Sequence, residues 1–419
     1  MIALPFIYFS LFLIYIILRK GFELSAYITL IYVISSFFSI IIDLYDYRDF
    51  DTKYYEISLE SALMYCFLLT LVILPFYNFD YSKTKFIPII NIKLFNIIVY
   101  IYIIVFVLLI AISFNSIGKI LNGDLLELRK MHNSGEDIAE LAISGGPIII
   151  LVNLLSMFSI IMIMFYFYSI CFLKNSSFFN TMILISSLSI IIMGIIGVDR
   201  SKTIYWLLIL GAMIVLFWKY MTLKSRRKVI IISSIIVTLI LTYFISMTVA
   251  RFGERDSGAE GGLILYAGQS YINFCMFYDE VHYKEFSLQK IFPLFYNLFV
   301  DNGISSSAEL NNDITLKTGK FVSVFATFAG DIMVGSGKAA TIIYCIIFSF
   351  IGNFLLKIKS SKIYFHHLII LFCLLLVPLL GVFSYFYNNH NRNIMLFFIL
   401  IYVFNMWSKS VKINTIKKY

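Results

Sequence analysis

Lys224-Ser225-Arg226-Arg227-Lys228, then Val229 to Val249 (VIIISSIIVTLILTYFISMTV), then Ala250-Arg251-Phe252-Gly253-Glu254-Arg255-Asp256: the reading of this stretch decides the fold. Its middle holds no Asp, Glu, Lys or Arg. It is long enough for a helix to cross a hydrocarbon core, which takes about 20 apolar residues. A purely basic run precedes it and a mixed-charge run follows. Because Lys and Arg collect in cytoplasmic loops, the two flanks mark opposite sides of a bilayer.

The same pattern recurs outward from there. Of 419 residues, 60% are hydrophobic and 14% charged, with a mean hydropathy of +0.90. A soluble fold could not hide that much apolar surface. About eleven apolar stretches of this kind are legible. They lie near 2–18, 24–42, 57–76, 94–114, 147–172, 179–198, 203–218, 229–249, 339–356, 364–386 and 393–407. The expectation is an all-α, polytopic membrane helix bundle, a single integral membrane domain over 1–419. The first stretch lacks a basic start and is followed by Arg19 and Lys20, so it reads as a span and not as a cleaved leader.

Orientation follows from the connections. One alternate set holds Arg19, Lys20, Lys83, Lys85, Lys93, Lys174, the run Lys224 to Lys228, Lys357, Lys359, Lys362 and the tail lysines to Lys418, with only Glu23 and Asp80 as acids. The other set holds Asp43, Asp46, Asp49, Asp51, Asp124, Glu127, Glu136 and Asp137. The basic set is expected to be cytoplasmic, with the N-terminus outside, the C-terminus inside and the long 250–337 connection external. The net charge of +9 is then a topology signal; the scattered basic residues do not make a nucleic-acid surface. Four of the five cysteines, Cys66, Cys171, Cys345 and Cys373, fall in spans, and Cys275 stands by itself in the outer connection. Neither a disulfide framework nor structural zinc is expected, and no cofactor is implied. No internal repeat supports an inverted-repeat transporter.

The 250–337 connection has structure of its own. Leu263 to Tyr278 is apolar and aromatic. Phe286 to Phe299 reads as an amphipathic helix lying on the outer membrane surface. Phe321 to Val334, around Gly330 and Asp331, is too short to span and reads as re-entrant or interfacial. At its start Arg251 and Arg255 are spaced i, i+4. If the helix continues past Ala250, they share one face. Two planar guanidiniums suit a diphosphate. The plainer reading is snorkelling to lipid headgroups, with Glu254 and Asp256 as neutralising partners.

Other connections offer further candidates. Gly197-Val198-Asp199-Arg200-Ser201-Lys202 is a tight outer turn with charges near membrane depth, where charge is costly and usually functional. Arg200 and Lys202 are candidate substrate contacts; a structural Asp199–Arg200 pair is the alternative. Asp49 and Asp51 form an Asp-x-Asp pair able to share a hard cation, although an acidic solvated loop reads the same way. Arg129 lies in an amphipathic stretch within 115–144. The last outer turn, Tyr385 to Arg392, combines aromatics and amides that suit sugar binding, with His390 and Arg392 beside them; an interfacial aromatic belt is the plainer account.

With these residues in view, the chain resembles the Wzy-type bacterial oligosaccharide repeat-unit polymerases of O-antigen and capsule. The shared features are the Gly-x-x-Arg-Ser turn at Gly197, Arg200 and Ser201, the Ala250-Arg251-Phe252-Gly253 exit from a span, the long outer loop, and Gly330-Asp331 ahead of a late span. Arg251 and Gly262 also satisfy a family spacing of an arginine, ten residues, then a glycine. The resemblance implies a bundle similar to the GT-C glycosyltransferases in the bacterial inner membrane. It implies polymerisation of undecaprenyl-diphosphate-linked oligosaccharides at the outer face without metal or cofactor, with a chain-length regulator as partner. Arg200, Arg251 and Arg255 would stabilise the leaving diphosphate. Glu254, Asp256 and Asp331 are the candidate bases. An O-antigen ligase, another polyprenyl-dependent glycosyltransferase and a lipid-linked oligosaccharide flippase remain the competing readings.

Overall fold

The computed structural model describes residues 1–48, 52–79, 84–86, 92–122, 147–173, 175–197, 199–252, 258–281, 288–292, 296, 299, 307–356, 362–389 and 391–416. In chain order its helices are α1 (Leu4–Lys20), α2 (Leu24–Leu44), α3 (Leu59–Asn78), α4 (Ile92–Asn122), α5 (Pro147–Phe158), α6 (Ile161–Phe172), α7 (Ser177–Ser186), α8 (Ser189–Ile196), α9 (Ser201–Phe217) and α10 (Leu223–Phe252). They continue with α11 (Gly258–Glu280), α12 (Ser307–Thr318), α13 (Thr327–Leu356), α14 (Phe365–Leu380), α15 (Phe386–Asn389) and α16 (Asn391–Ile416). Two-residue strands β1 (Lys85–Phe86) and β2 (Lys362–Ile363) pair in parallel.

The stretches read as apolar from the sequence are helical. Among the described residues, seven helices are long and apolar enough to cross a membrane, or eight if α5 and α6, bent by 60°, form one span. Phe365–Leu380 and Ile394–Met406 are apolar but shorter. Large apolar side chains such as Leu18, Phe114, Leu239, Phe350 and Phe354 point outward, as lipid-facing residues must. The chain is a multi-pass membrane protein, almost wholly helical over the described residues.

The chain divides into two compact units, Met1–Ile87 with Glu260–Tyr402, and Pro88–Ala259 with Val403–Tyr419. In the first unit α1, α2, α3 and α13 pack side by side. Small residues allow their close approach, since apolar burial alone does not drive helices together in lipid. A Cβ on Gly352 would come within 2.8 Å of the Pro75 ring in α3. Any Cβ on Gly268 of α11 would strike the backbone of α2 at Phe38 and Ser39. At that crossing Ser35 Oγ donates to Ala267 O (2.9 Å) and Ser39 Oγ to Gly268 O (2.6 Å).

Segment Leu263 to Tyr278 is therefore no loop. It is most of α11, with Tyr271, Phe274, Cys275 and Phe277 in the core and Tyr65 of α3 packed near Tyr271 and Phe274. The reading of Phe286 to Phe299 as an amphipathic surface helix also needs correction. In the described part, Gln289, Lys290 and Ile291 are buried while Leu288, Phe292 and Phe299 are exposed, so two of the polar residues face inward. Phe321 to Val334 contributes the start of α13, which breaks at Gly337 (φ 83°) and resumes. The start of α13 meets the end of α14: the N–H groups of Ala326 and Thr327 donate to Phe383 O (3.1 Å each) and that of Phe328 to Gly381 O (2.8 Å). Two helix ends thus satisfy each other's unpaired backbone groups.

Loops of like charge gather at like ends of this unit. At one end Lys20 donates to Tyr77 O, Asn78 bonds Asn353 (2.8 Å), and β1 lies beside β2. At the other, Arg48 pairs with Asp43, Tyr55 donates to Asp279, and Tyr278 donates to Glu60 Oε1 (2.6 Å). Burial, then the carboxylate beside it, pushes the Tyr55 phenol far above its usual range and that of Tyr278 up to about 12.

In the second unit two helix breaks adjoin. The α5–α6 break at Ser159 and the α7–α8 break at Ser187 are stitched by Ser159 Oγ, which donates to Ser187 O (3.4 Å) and accepts from Ile190 N–H (3.2 Å). Trp206 of α9 donates to Ser187 Oγ (2.9 Å). Lys228 reaches Ser177, so two loops assigned to the basic side share an end here as well. These internal agreements predict that a reporter fused after Lys228 is cytoplasmic and one inserted near Ser306 external. Alkaline phosphatase and fluorescent-protein fusions check this; exchanged compartments would put each proposed site residue on the wrong side.

Candidate functional site

In the second unit, α8 ends at Gly197 and the chain must reverse at once into α9. Gly194 makes room: a Cβ there would sit 2.8 Å from Asp199 O and 3.2 Å from Lys202 Cβ. Asp199 N–H donates to Gly194 O (2.8 Å). The Asp199 carboxylate accepts from Ser201 N–H (2.9 Å) and Ser201 Oγ (2.7 Å). An acid satisfying the first N–H groups of a helix also complements its dipole, so Asp199 is engaged in starting α9.

Arg200 then turns inward. It is 4% exposed, its Nη1 donates to Thr248 Oγ1 (2.7 Å), and its guanidinium lies 5.6 Å from the centre of the Phe244 ring. Thr248 donates its own proton to Phe244 O (2.7 Å), which leaves its oxygen as the acceptor for Arg200. A snorkelling arginine would be exposed at the rim; this one is held against α10. A guanidinium can be desolvated only where fixed acceptors and a π-face replace water.

Helix α10 runs through Phe252, two residues past Ala250; the Arg255 half of the i, i+4 pair lies outside the described residues. Arg251 lies one turn beyond Thr248 on that helix, and i, i+3 residues are neighbours on a helix surface. The turn that opens α9 thereby meets α10 near its C-terminal end through the Arg200–Thr248 contact. Lys202 sits half-buried in the first turn of α9. Glu254, Arg255, Asp256, Arg129, His390, Asp49 and Asp51 lie outside the described residues, and Arg251 and Arg392 are described only by their backbone.

Asp331 belongs to a different cluster, in the first unit. Its Oδ1 accepts from Lys290 Nζ (2.8 Å) and its Oδ2 from Tyr385 N–H (3.2 Å). Lys290 also donates to Asn311 of α12, and its side chain is 1% exposed. Its stem crosses α13 at Gly335, where any Cβ would collide with Lys290 Cγ. Asp331 keeps 15% of its side chain exposed. Tyr385 adds a hydroxyl contact to Tyr344 (3.3 Å), and Tyr387 donates to Cys373 O (2.7 Å). Tyr385, Phe386 and Tyr387 are buried, which removes them as the open sugar platform expected from that turn.

Lys290, Asn311 and Thr248 do not stand out in the sequence. Lys290 reads as one polar residue of a surface helix. The usable signal is Gly335, a small residue one turn after Asp331 on the same helix face, which leaves space for a long side chain to reach the acid. Among the described residues no group of three or more His, Cys, Asp or Glu gathers as metal ligands would. Comparison with family models, curated proteins and solved structures finds no match.

Proposed function

We propose that this chain is a membrane glycosyltransferase that polymerises polyprenyl-diphosphate-linked oligosaccharide repeat units at the outer face of the bacterial inner membrane, with a GT-C-like bundle, its N-terminus outside and its C-terminus inside. The observation that supports this reading is the buried Arg200, locked to Thr248 one turn before Arg251. A cationic site at the end of a lipid-facing helix lets a diphosphate be gripped while its isoprenoid tail stays in the bilayer. The acceptor hydroxyl attacks the anomeric carbon of the donor; the anomeric C–O bond to the diphosphate breaks with its electron pair going to the departing oxygen. A carboxylate, Glu254 or Asp256, takes the hydroxyl proton. Charge on the diphosphate grows as the bond breaks, so fixed guanidiniums stabilise the transition state more than the bound donor. The substrates are the lipid-linked growing chain and the lipid-linked repeat unit, and a chain-length regulator is the expected protein partner.

A ligase differs only in its acceptor, and a flippase in forming no bond. Deleting the gene separates a polymerase from both. A polymerase deletion leaves a single repeat unit on the surface anchor. A flippase or ligase deletion leaves none, and an unchanged glycan ladder would remove the chain from the pathway.

A further inference from the structure

The acidic end of the first unit holds a cleft of about 540 Å³, lined by Asp43, Asp46, Arg48, Lys53, Tyr54 and Glu56 among others. Its size lies within the usual range for small-molecule sites, about 300–1,000 Å³. The floor is pre-formed. Arg48 is only 12% exposed at its side chain and is fixed by the Asp43 carboxylate, by Tyr55 O (2.6 Å) and by Thr52 O (3.3 Å). Next to it Tyr55 is buried and tied to Asp279, and Ser58 also donates to Asp279 Oδ1 (3.0 Å). The backbone around Tyr54 is therefore anchored, yet the Tyr54 ring is 86% exposed.

An exposed aromatic ring on an anchored backbone at the edge of a polar cleft has an apolar face to offer and, with only two side-chain torsions, little ordering entropy to lose on binding. The lining mixes fixed donors with carboxylate acceptors. Among the described lining residues, the side chains of Asp43, Asp46 and Glu56 face those of Arg48 and Lys53, so the side chains carry no positive excess that would select phosphate. We propose that this cleft binds a neutral saccharide, stacking a sugar face on Tyr54 and reading hydroxyls with Asp46, Glu56 and Lys53. Saccharide binding here does not rest on the polymerase reading.

The test uses the full chain, fluorescently labelled in lipid nanodiscs, on a printed array of microbial glycans that includes polysaccharide from the producing cells. Binding to at least one glycan is expected. Tyr54→Ala should weaken it about ten-fold, while Tyr54→Phe, which keeps the ring, should retain it. Arg200→Ala should leave array binding intact while abolishing polymer, so failure of the polymerase reading shows separately from failure of the cleft. Absence of binding to each glycan, or binding undiminished in Tyr54→Ala, overturns the proposal. Binding that vanishes in chelator would also overturn it, assigning the carboxylates to a cation.

Discussion

Arg200→Ala should reduce surface glycan to single repeat units while the protein stays in the membrane at wild-type level. The side chain is almost wholly buried, bonded to Thr248 and held near the Phe244 ring. A guanidinium fixed in this way needs no reorganisation as charge develops on a leaving diphosphate. Removing one such contact costs about 2–4 kcal/mol, roughly thirty- to several-hundred-fold in rate. Arg200→Lys keeps the charge but loses the planar fork and should fall between. Thr248→Val tests positioning apart from charge: the guanidinium remains but its anchor goes, so polymer should shorten without disappearing. Full-length polymer from a well-expressed Arg200→Ala protein would assign the arginine to holding α9 against α10 and nothing more.

How much of this is legible in the sequence differs between helices and sites. The spans are readable because a bilayer imposes one rule, an uncharged stretch of about 20 residues, that needs no knowledge of neighbours. The convergence of like-charged loops follows from the same bilayer. Residues 258–299 obey no such rule. Leu263 to Tyr278 is apolar but interrupted by Gly268, Gln269 and Asn273, and reads as a segment of the outer connection. Two of those residues instead serve packing: Gly268 admits the α2 backbone, and Asn273 Nδ2 donates to Phe325 O (2.9 Å). Arg200 can be singled out by its cost at membrane depth, but its partner cannot, because Thr248 looks like any other small residue of an apolar helix. Lys290 is hidden for a related reason: a lysine between Gln289 and Ile291 reads as amphipathic, and only the close approach at Gly335 tells that the charge points inward.

Lys290→Met should be among the most destabilising single substitutions in the first unit. The ammonium and the Asp331 carboxylate lie 2.8 Å apart with side-chain exposures of 1% and 15%. Such a pair adds little net stability over apolar residues of similar volume, because desolvation offsets attraction. Breaking it from one side is different, since it strands the remaining charge, and costs about 3–5 kcal/mol. Asn311 would lose its donor in the same step. The double variant Lys290→Met with Asp331→Asn leaves no stranded charge. The neutral amide it introduces still carries an oxygen to accept from the Tyr385 N–H, so the double variant should recover much of the loss. The two single effects should therefore sum to far more than the double, with a coupling of about 2 kcal/mol or greater. Thermal unfolding of detergent-solubilised protein followed by size-exclusion fluorescence gives the four values. Gly335→Ala supplies an independent reading of the same geometry: its methyl displaces the Lys290 stem and should destabilise wild type, but have little further effect in the Lys290→Ala background. If Lys290→Met melts like wild type, the lysine reaches water and the buried pair does not exist as described. If it melts early and the double variant melts equally early, volume and packing, not the stranded carboxylate, hold this end of α13 to α12.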